Sequence, residues 1–131
     1  MLKKFRYKNE AEFSHAVCRY LRNKGWFVQR IESGETGKGI PDLYIISPTG
    51  VAIWIELKRE HLDTAGISSS VYVHWRQGQQ AWLHSITKLK QKAYTLACFD
   101  NVILQIPHEV IYKDNLVNLS GVTFINSLSQ L

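Results

Sequence analysis

Asp42, Glu56 and Lys58 combine side-chain types and a spacing that suit hydrolytic chemistry at a divalent cation. They lie in PDLYIISPTGVAIWIELK, from Pro41 to Lys58, where two apolar runs flank the turn-forming Ser47-Pro48-Thr49-Gly50. Folding the chain about Thr49 sets position 42 opposite position 56. Directly opposed residues on antiparallel strands hold their Cβ atoms roughly 5 Å apart, where two negative charges repel. A divalent cation between the carboxylates removes that repulsion. Strand alternation does the rest: Glu56 and Lys58 share a face, and Leu57 points away with Leu43, Ile45, Ile53 and Ile55, which read as core. Taken singly, Asp42 is a strand-start carboxylate facing water, and Glu56 with Lys58 a same-face ion pair worth under about 1 kcal/mol. The symmetric pairing about the turn is what joins them into a candidate site.

The elements that position these residues are legible nearby. Asn9 can cap a helix from about Glu10 to Lys24, stopped by Gly25, with Phe13, Ala16, Val17, Tyr20 and Leu21 as its apolar stripe. A first strand follows at residues 26 to 31. The Gly-rich loop SGETGKG, residues 33 to 39, lacks the order of a phosphate-binding loop but leaves Lys38 available to a phosphate. Residues 60 to 73 read as an irregular segment, and loops of that length are often functional. A second helix spans roughly residues 77 to 90, with Trp82, Leu83, Ile86 and Leu89 facing inward. Strands are expected at residues 94 to 99 and 102 to 106, a short helix near 109 to 112, and a further strand at 122 to 125. This order describes an α/β fold, a mixed central β-sheet flanked by helices.

The 131 residues make one domain, spanning 1 to 131, with 45% apolar and 21% charged residues, the composition of an ordinary globular protein. No stretch approaches the roughly 18 apolar residues of a membrane span, and no signal-like pattern opens the chain. Two cysteines, Cys18 and Cys98, make neither a disulfide framework nor a CxxC pair, which suits a reducing, intracellular and cytoplasmic setting. The five histidines lack ligand spacing, which argues against zinc. The net charge of +5 favours polyanionic partners, nucleic acid first. Basic residues group at Lys3, Lys4, Arg6 and Lys8, at Arg19, Arg22 and Lys24, and at Lys88, Lys90 and Lys92. The first group, interleaved with Phe5 and Tyr7, could track a DNA backbone; the last could instead serve a helix dipole. His61, His74 and His108 read as surface or loop residues.

A glutamate in a first helix, Pro41-Asp42, a turn, Glu56-Leu57-Lys58 and a helix bearing Gln79-Gln80-Ala81-Trp82-Leu83 together resemble the PD-(D/E)xK nuclease superfamily. Within it the chain is most similar to stand-alone VRR-Nuc domains of phage type and to archaeal-type Holliday junction resolvases. The resemblance covers roughly residues 10 to 100. It implies a restriction endonuclease-like αβββαβ core. It also implies that Asp42 and Glu56 ligate Mg²⁺, with Mn²⁺ able to substitute, and that the Leu57 carbonyl is a third ligand. Lys58 would orient or help deprotonate the attacking water, and Gln79 would bond the scissile phosphate or a metal water. Glu12 matches the superfamily's first-helix glutamate and would complete the metal site. It also falls three residues after Asn9, where it can complete a capping box, and Glu10 is the second choice. Lys38, Arg59, Arg76, Lys3, Lys4 and Arg6 are candidate DNA contacts.

The expected activity is a metal-dependent endonuclease hydrolysing DNA phosphodiesters, selective for branched DNA such as Holliday junctions, in recombination and repair. Symmetric cutting of two strands needs two active sites, hence a homodimer. The apolar tail VTFINSL, residues 122 to 128, suits either the dimer interface or the core. The rivals are a nuclease for nicks, flaps, ends or a short sequence, and a non-catalytic DNA-binding protein of the same fold.

Overall fold

In the computed structural model, which describes residues 7–31, 39–61, 70–100, 102–108 and 115–125, Asn9 opens helix α1 (Glu10–Asn23). Its side chain accepts the Glu12 amide at 2.8 Å, satisfying one of the donors that a helix start leaves orphaned. Phe13, Val17 and Leu21 recur at helical spacing and are buried, as are Ser14 and Cys18. Strand β1 (Phe27–Arg30) leads to the hairpin of β2 (Leu43–Ile46) and β3 (Ala52–Glu60). The hairpin register is the one expected from the turn: Leu43 faces Ile55, Tyr44 faces Trp54, and Ile46 faces Ala52. Ser47 closes the turn, its Oγ accepting the Val51 amide at 3.0 Å.

After β3 the chain forms β4 (Ser70–Tyr72), helix α2 (Gln79–Lys88), β5 (Lys92–Phe99), β6 (Val102–Pro107), β7 (Leu116–Asn118), a single 3₁₀ turn and β8 (Thr123–Ile125). The main sheet has the order β1-β2-β3-β5-β6-β8 and is mixed, because β3 and β5 run parallel on either side of the α2 crossover. One face carries α1 over Leu43, Ile45, Ile53, Ile55, Leu57 and Leu96. A second core of Val71, Val73, Trp75, Phe99, Leu104 and Ile106 holds the small β4-β7 sheet. Helix α2 joins through buried Leu83 and through Trp82, whose ring meets Trp54 at 5.0 Å between centroids.

The structure departs from the sequence reading in two places. The segment after Arg59 is less irregular than expected, because β3 continues through Glu60 and residues 70–72 pair with β7. That partner lies more than forty residues further along, beyond any local signal. Leu89, expected inward, is 72% exposed, since α2 ends one residue before it. As expected, the described part of the apolar tail forms a strand, the sheet edge β8, with Ile125 buried against β6 and Phe124 exposed. The short helix expected near 109–112 lies outside the described residues.

Candidate functional site

The hairpin register carries Asp42, the residue just before β2, into line with Glu56. Asp42 Oδ2 accepts the Leu57 amide at 2.8 Å, which holds its carboxylate against β3. Glu56, buried at 2% exposure, hydrogen-bonds to Asp42 and lies 3.6 Å from Lys58 Nζ. Lys58 is itself buried on the same face, two residues along.

Gln79 completes this group from the other side of the crossover. It is the first residue of α2 and is buried; its Nε2 donates to Glu56 Oε2 at 3.0 Å, and its Oε1 accepts the Arg76 amide at 2.6 Å. A close backbone approach sets its position. Gly39 has φ +93°, and a Cβ there would stand 2.4 Å from the Gly78 carbonyl oxygen. The chain entering Pro41-Asp42 is therefore stacked directly on the turn that opens α2. The approach of Gly39 to Gly78 leaves no room for a side chain between the aspartate strand and the glutamine helix.

Burial, the Asp42 charge, the hydrogen bond to Asp42 and more distant Glu10 outweigh the opposing pull of Lys58 and push the Glu56 carboxyl up to about 8. A carboxyl raised that far holds a proton at neutral pH. This pair suits a hard divalent cation, which would replace the proton and relieve the repulsion. Among the described residues no group of three or more His, Cys, Asp or Glu side chains forms a metal cage. Two carboxylates suffice for Mg²⁺, which keeps several waters and is commonly bound through one or two carboxylates plus substrate phosphates.

A pH dependence of stability follows. The folded state holds the Glu56 proton between about 4.5 and about 8, where the unfolded chain has released it, so stability falls as pH rises through that window. The contribution is complete below about 4.5 and gone above about 8. Melting temperatures in EDTA should decline from pH 5 to pH 9 more steeply for the wild type than for Glu56→Gln. Parallel curves would refute the assignment.

The structure sorts the remaining candidates. Glu10, not Glu12, turns toward the site. Its carboxyl is raised by partial burial and then by the Asp42 charge, with Lys58 and Arg76 acting in the opposite sense. Two residues on a helix differ by about 200°, so a helix that presents Glu10 to Asp42 turns Glu12 away. Both glutamates lie at the exposed start of α1, and the Glu12 amide is held by the Asn9 cap. Arg59, expected on DNA, is instead an internal tie. It points to the opposite face from Lys58, and its guanidinium is 3% exposed; it donates to the carbonyls of Tyr7, Glu60 and Cys98 and lies 3.5 Å from Asp100. Arg76 is exposed beside a cleft of about 420 Å³ that Lys8, Glu10, Lys58, Glu60 and His74 also line. Lys3, Lys4, Arg6 and Lys38 lie outside the described residues.

Sequence reasoning did not connect Glu60 with His74, which lies on the surface as expected. Glu60 is buried on the Glu56 and Lys58 face, and both its oxygens engage His74: Oε1 meets Nδ1 at 2.6 Å and Oε2 accepts the amide at 2.7 Å. The His74 imidazole is otherwise exposed and stands over the same cleft. The signal for Glu60 was present, since Glu56, Lys58 and Glu60 continue one period-two row. Nothing local marked His74.

The chain has an α/β architecture, a six-stranded mixed sheet flanked by helices. Among solved structures the chain is similar to Hjc of Archaeoglobus fulgidus, a Holliday junction resolvase from an archaeal hyperthermophile, with a TM-score of 0.59 over 89% of this chain and 88% of that one. The two are 12% identical, so the likeness is one of fold. No protein-family model and no curated protein matches the sequence. No helix among the described residues is long and apolar enough to cross a membrane.

Proposed function

We propose that this protein is a metal-dependent endonuclease that hydrolyses phosphodiester bonds in branched DNA, Holliday junctions foremost. The observation that carries the reading is the convergence of Asp42, Glu56, Lys58 and Gln79 on one face of β3, in a fold similar to a junction resolvase. Asp42 and Glu56 would hold Mg²⁺ or Mn²⁺, with the Leu57 carbonyl as a further donor. The bound ion supplies a more acidic water and polarises the phosphate. Lys58, held by burial beside Glu56, orients the attacking water and offsets the charge that grows on the phosphate oxygens. Gln79 fixes Glu56 through Nε2, and its place at the start of α2 sets it beside the incoming phosphate. Glu10 takes the role the sequence reading gave to Glu12, adding negative charge at the rim of the site. Arg76, exposed at the same rim, is the described candidate for a phosphate contact.

Cutting a junction symmetrically requires two such sites, so the active species is a C2 dimer. A gel assay on a synthetic four-way junction and its matched linear duplex, with Mg²⁺, Mn²⁺ or EDTA, tests the proposal. The expected result is paired symmetric nicks in the junction with either metal, none in EDTA, and twice the chain mass in sedimentation. Equal cutting of the duplex would remove the preference for branched DNA. Binding without cutting in either metal would favour the non-catalytic DNA-binding alternative.

A further inference from the structure

On the α1 side of the sheet, away from the Glu56 and Lys58 face, His15, Cys18, Arg19, Arg22, Asn23 and Arg30 line a cavity of about 250 Å³. Its charged lining is wholly basic. Arg19 and Arg22 come from the last turns of α1, and Arg30 comes from the end of β1, the edge strand of the sheet. Three guanidinium groups around one opening repel one another unless an anion lies among them. One of them is anchored, since Arg22 Nη2 donates to the Val28 carbonyl at 3.2 Å. The helix dipole gives no full account of the cluster. Lys24, the other cation at this helix end, lies over the Tyr20 ring, whereas Arg30 is not on the helix at all.

The cavity lies one strand away from the candidate active site. Arg30 pairs with Leu43, and the Ile31 amide donates to the Asp42 carbonyl at 2.8 Å. Asp42, however, acts on the opposite side of the β1-β2 margin, so one straight backbone running past Lys58 would not also enter this cavity. We infer that Arg19, Arg30 and His15, with Arg22 and Asn23 behind them, form a phosphate-binding pocket for the backbone of a DNA arm other than the one being cut. The inference rests on the nuclease reading and goes beyond it, because it assigns a second DNA contact and ties it to branching. Arginine forks suit phosphate oxygens, and the cavity is roomy enough to admit a phosphate group.

The test is equilibrium binding, read by fluorescence anisotropy in EDTA so that no cutting occurs. A labelled four-way junction and its linear duplex are titrated with wild type, Arg19→Ala/Arg30→Ala and Arg19→Lys/Arg30→Lys at several salt concentrations. Arg22 is left intact because it ties α1 to β1. The alanine pair should weaken junction binding about five- to tenfold and flatten its log–log salt slope by about 2, with little change on duplex. The lysine pair should restore the slope. An unchanged junction slope, or an equal loss on both DNAs, would overturn the pocket assignment. If wild type binds neither DNA, the nuclease reading itself fails, an outcome distinct from the other two.

Discussion

Glu56→Gln should lower junction cleavage by at least about 10³-fold while leaving the melting temperature in EDTA at pH 7 unchanged or higher. The two halves of this result have one cause. Without a cation Glu56 is a protonated acid at neutral pH, hydrogen-bonded to Asp42 and accepting from Gln79 Nε2. A glutamine amide reproduces both bonds, donating its NH₂ to Asp42 and accepting from Gln79 with its oxygen, so folding loses nothing. The amide cannot become the anion that a divalent cation requires. Stabilisation by Mg²⁺, about 2.7 kcal/mol for wild type at a hundredfold excess over Kd, should therefore disappear in the variant. Thermal melts with and without Mg²⁺ read this independently of any DNA substrate. Retention of both cleavage and the Mg²⁺ response would remove Glu56 from the site. A large drop in melting temperature in EDTA would instead make it a structural ion.

Gly39→Ala should destabilise the protein by about 2–4 kcal/mol and cut activity with it. Two costs add. Gly39 has φ +93°, where an L side chain is strained, and its new Cβ would stand 2.4 Å from the Gly78 carbonyl oxygen and 3.1 Å from the Gln79 amide nitrogen. Relief requires the aspartate strand and α2 to part, which stretches the bond between Gln79 and Glu56 and the Leu57 grip on Asp42. Gly50→Ala separates strain from clash, because Gly50 has φ +90° with no neighbour within 4 Å of the added atom. It should cost only about 1 kcal/mol and leave cleavage intact. Urea denaturation measures both. Equal costs at the two positions would show that the contact between Gly39 and Gly78 does not hold the site together.

How far the site can be read from the chain depends on the range of the interactions that build each part. Asp42, Glu56 and Lys58 were legible because a hairpin is local: an alternating apolar face and one turn set its register, and a one-residue slip would turn Leu43, Ile45, Ile53 and Ile55 away from the α1 core. The Asn9 cap and the Phe13, Val17, Leu21 stripe are likewise contained within a few helical turns. Gln79 was legible only by resemblance, because its bond to Glu56 spans 23 residues and depends on the Gly39 contact.

What the sequence determined alone was the pairing of two carboxylates beside a lysine, since period two and a tight turn leave one arrangement that buries the leucines and isoleucines. Helical phase separates the two glutamates of α1: Glu10 lies on the stripe of Phe13, Val17 and Leu21, and Glu12 stands about 200° away, so the reading of Glu12 was an error of phase. Tertiary packing reversed Arg59, because extending β3 to Glu60 puts Arg59 on the face opposite Lys58, where backbone carbonyls and Asp100 take its donors. The same extension sets Glu60 beneath His74, 14 residues away. Alternation and capping act over a few residues and are written in the local pattern. The meeting of helix starts with strand ends is set by long-range burial, which no local window contains.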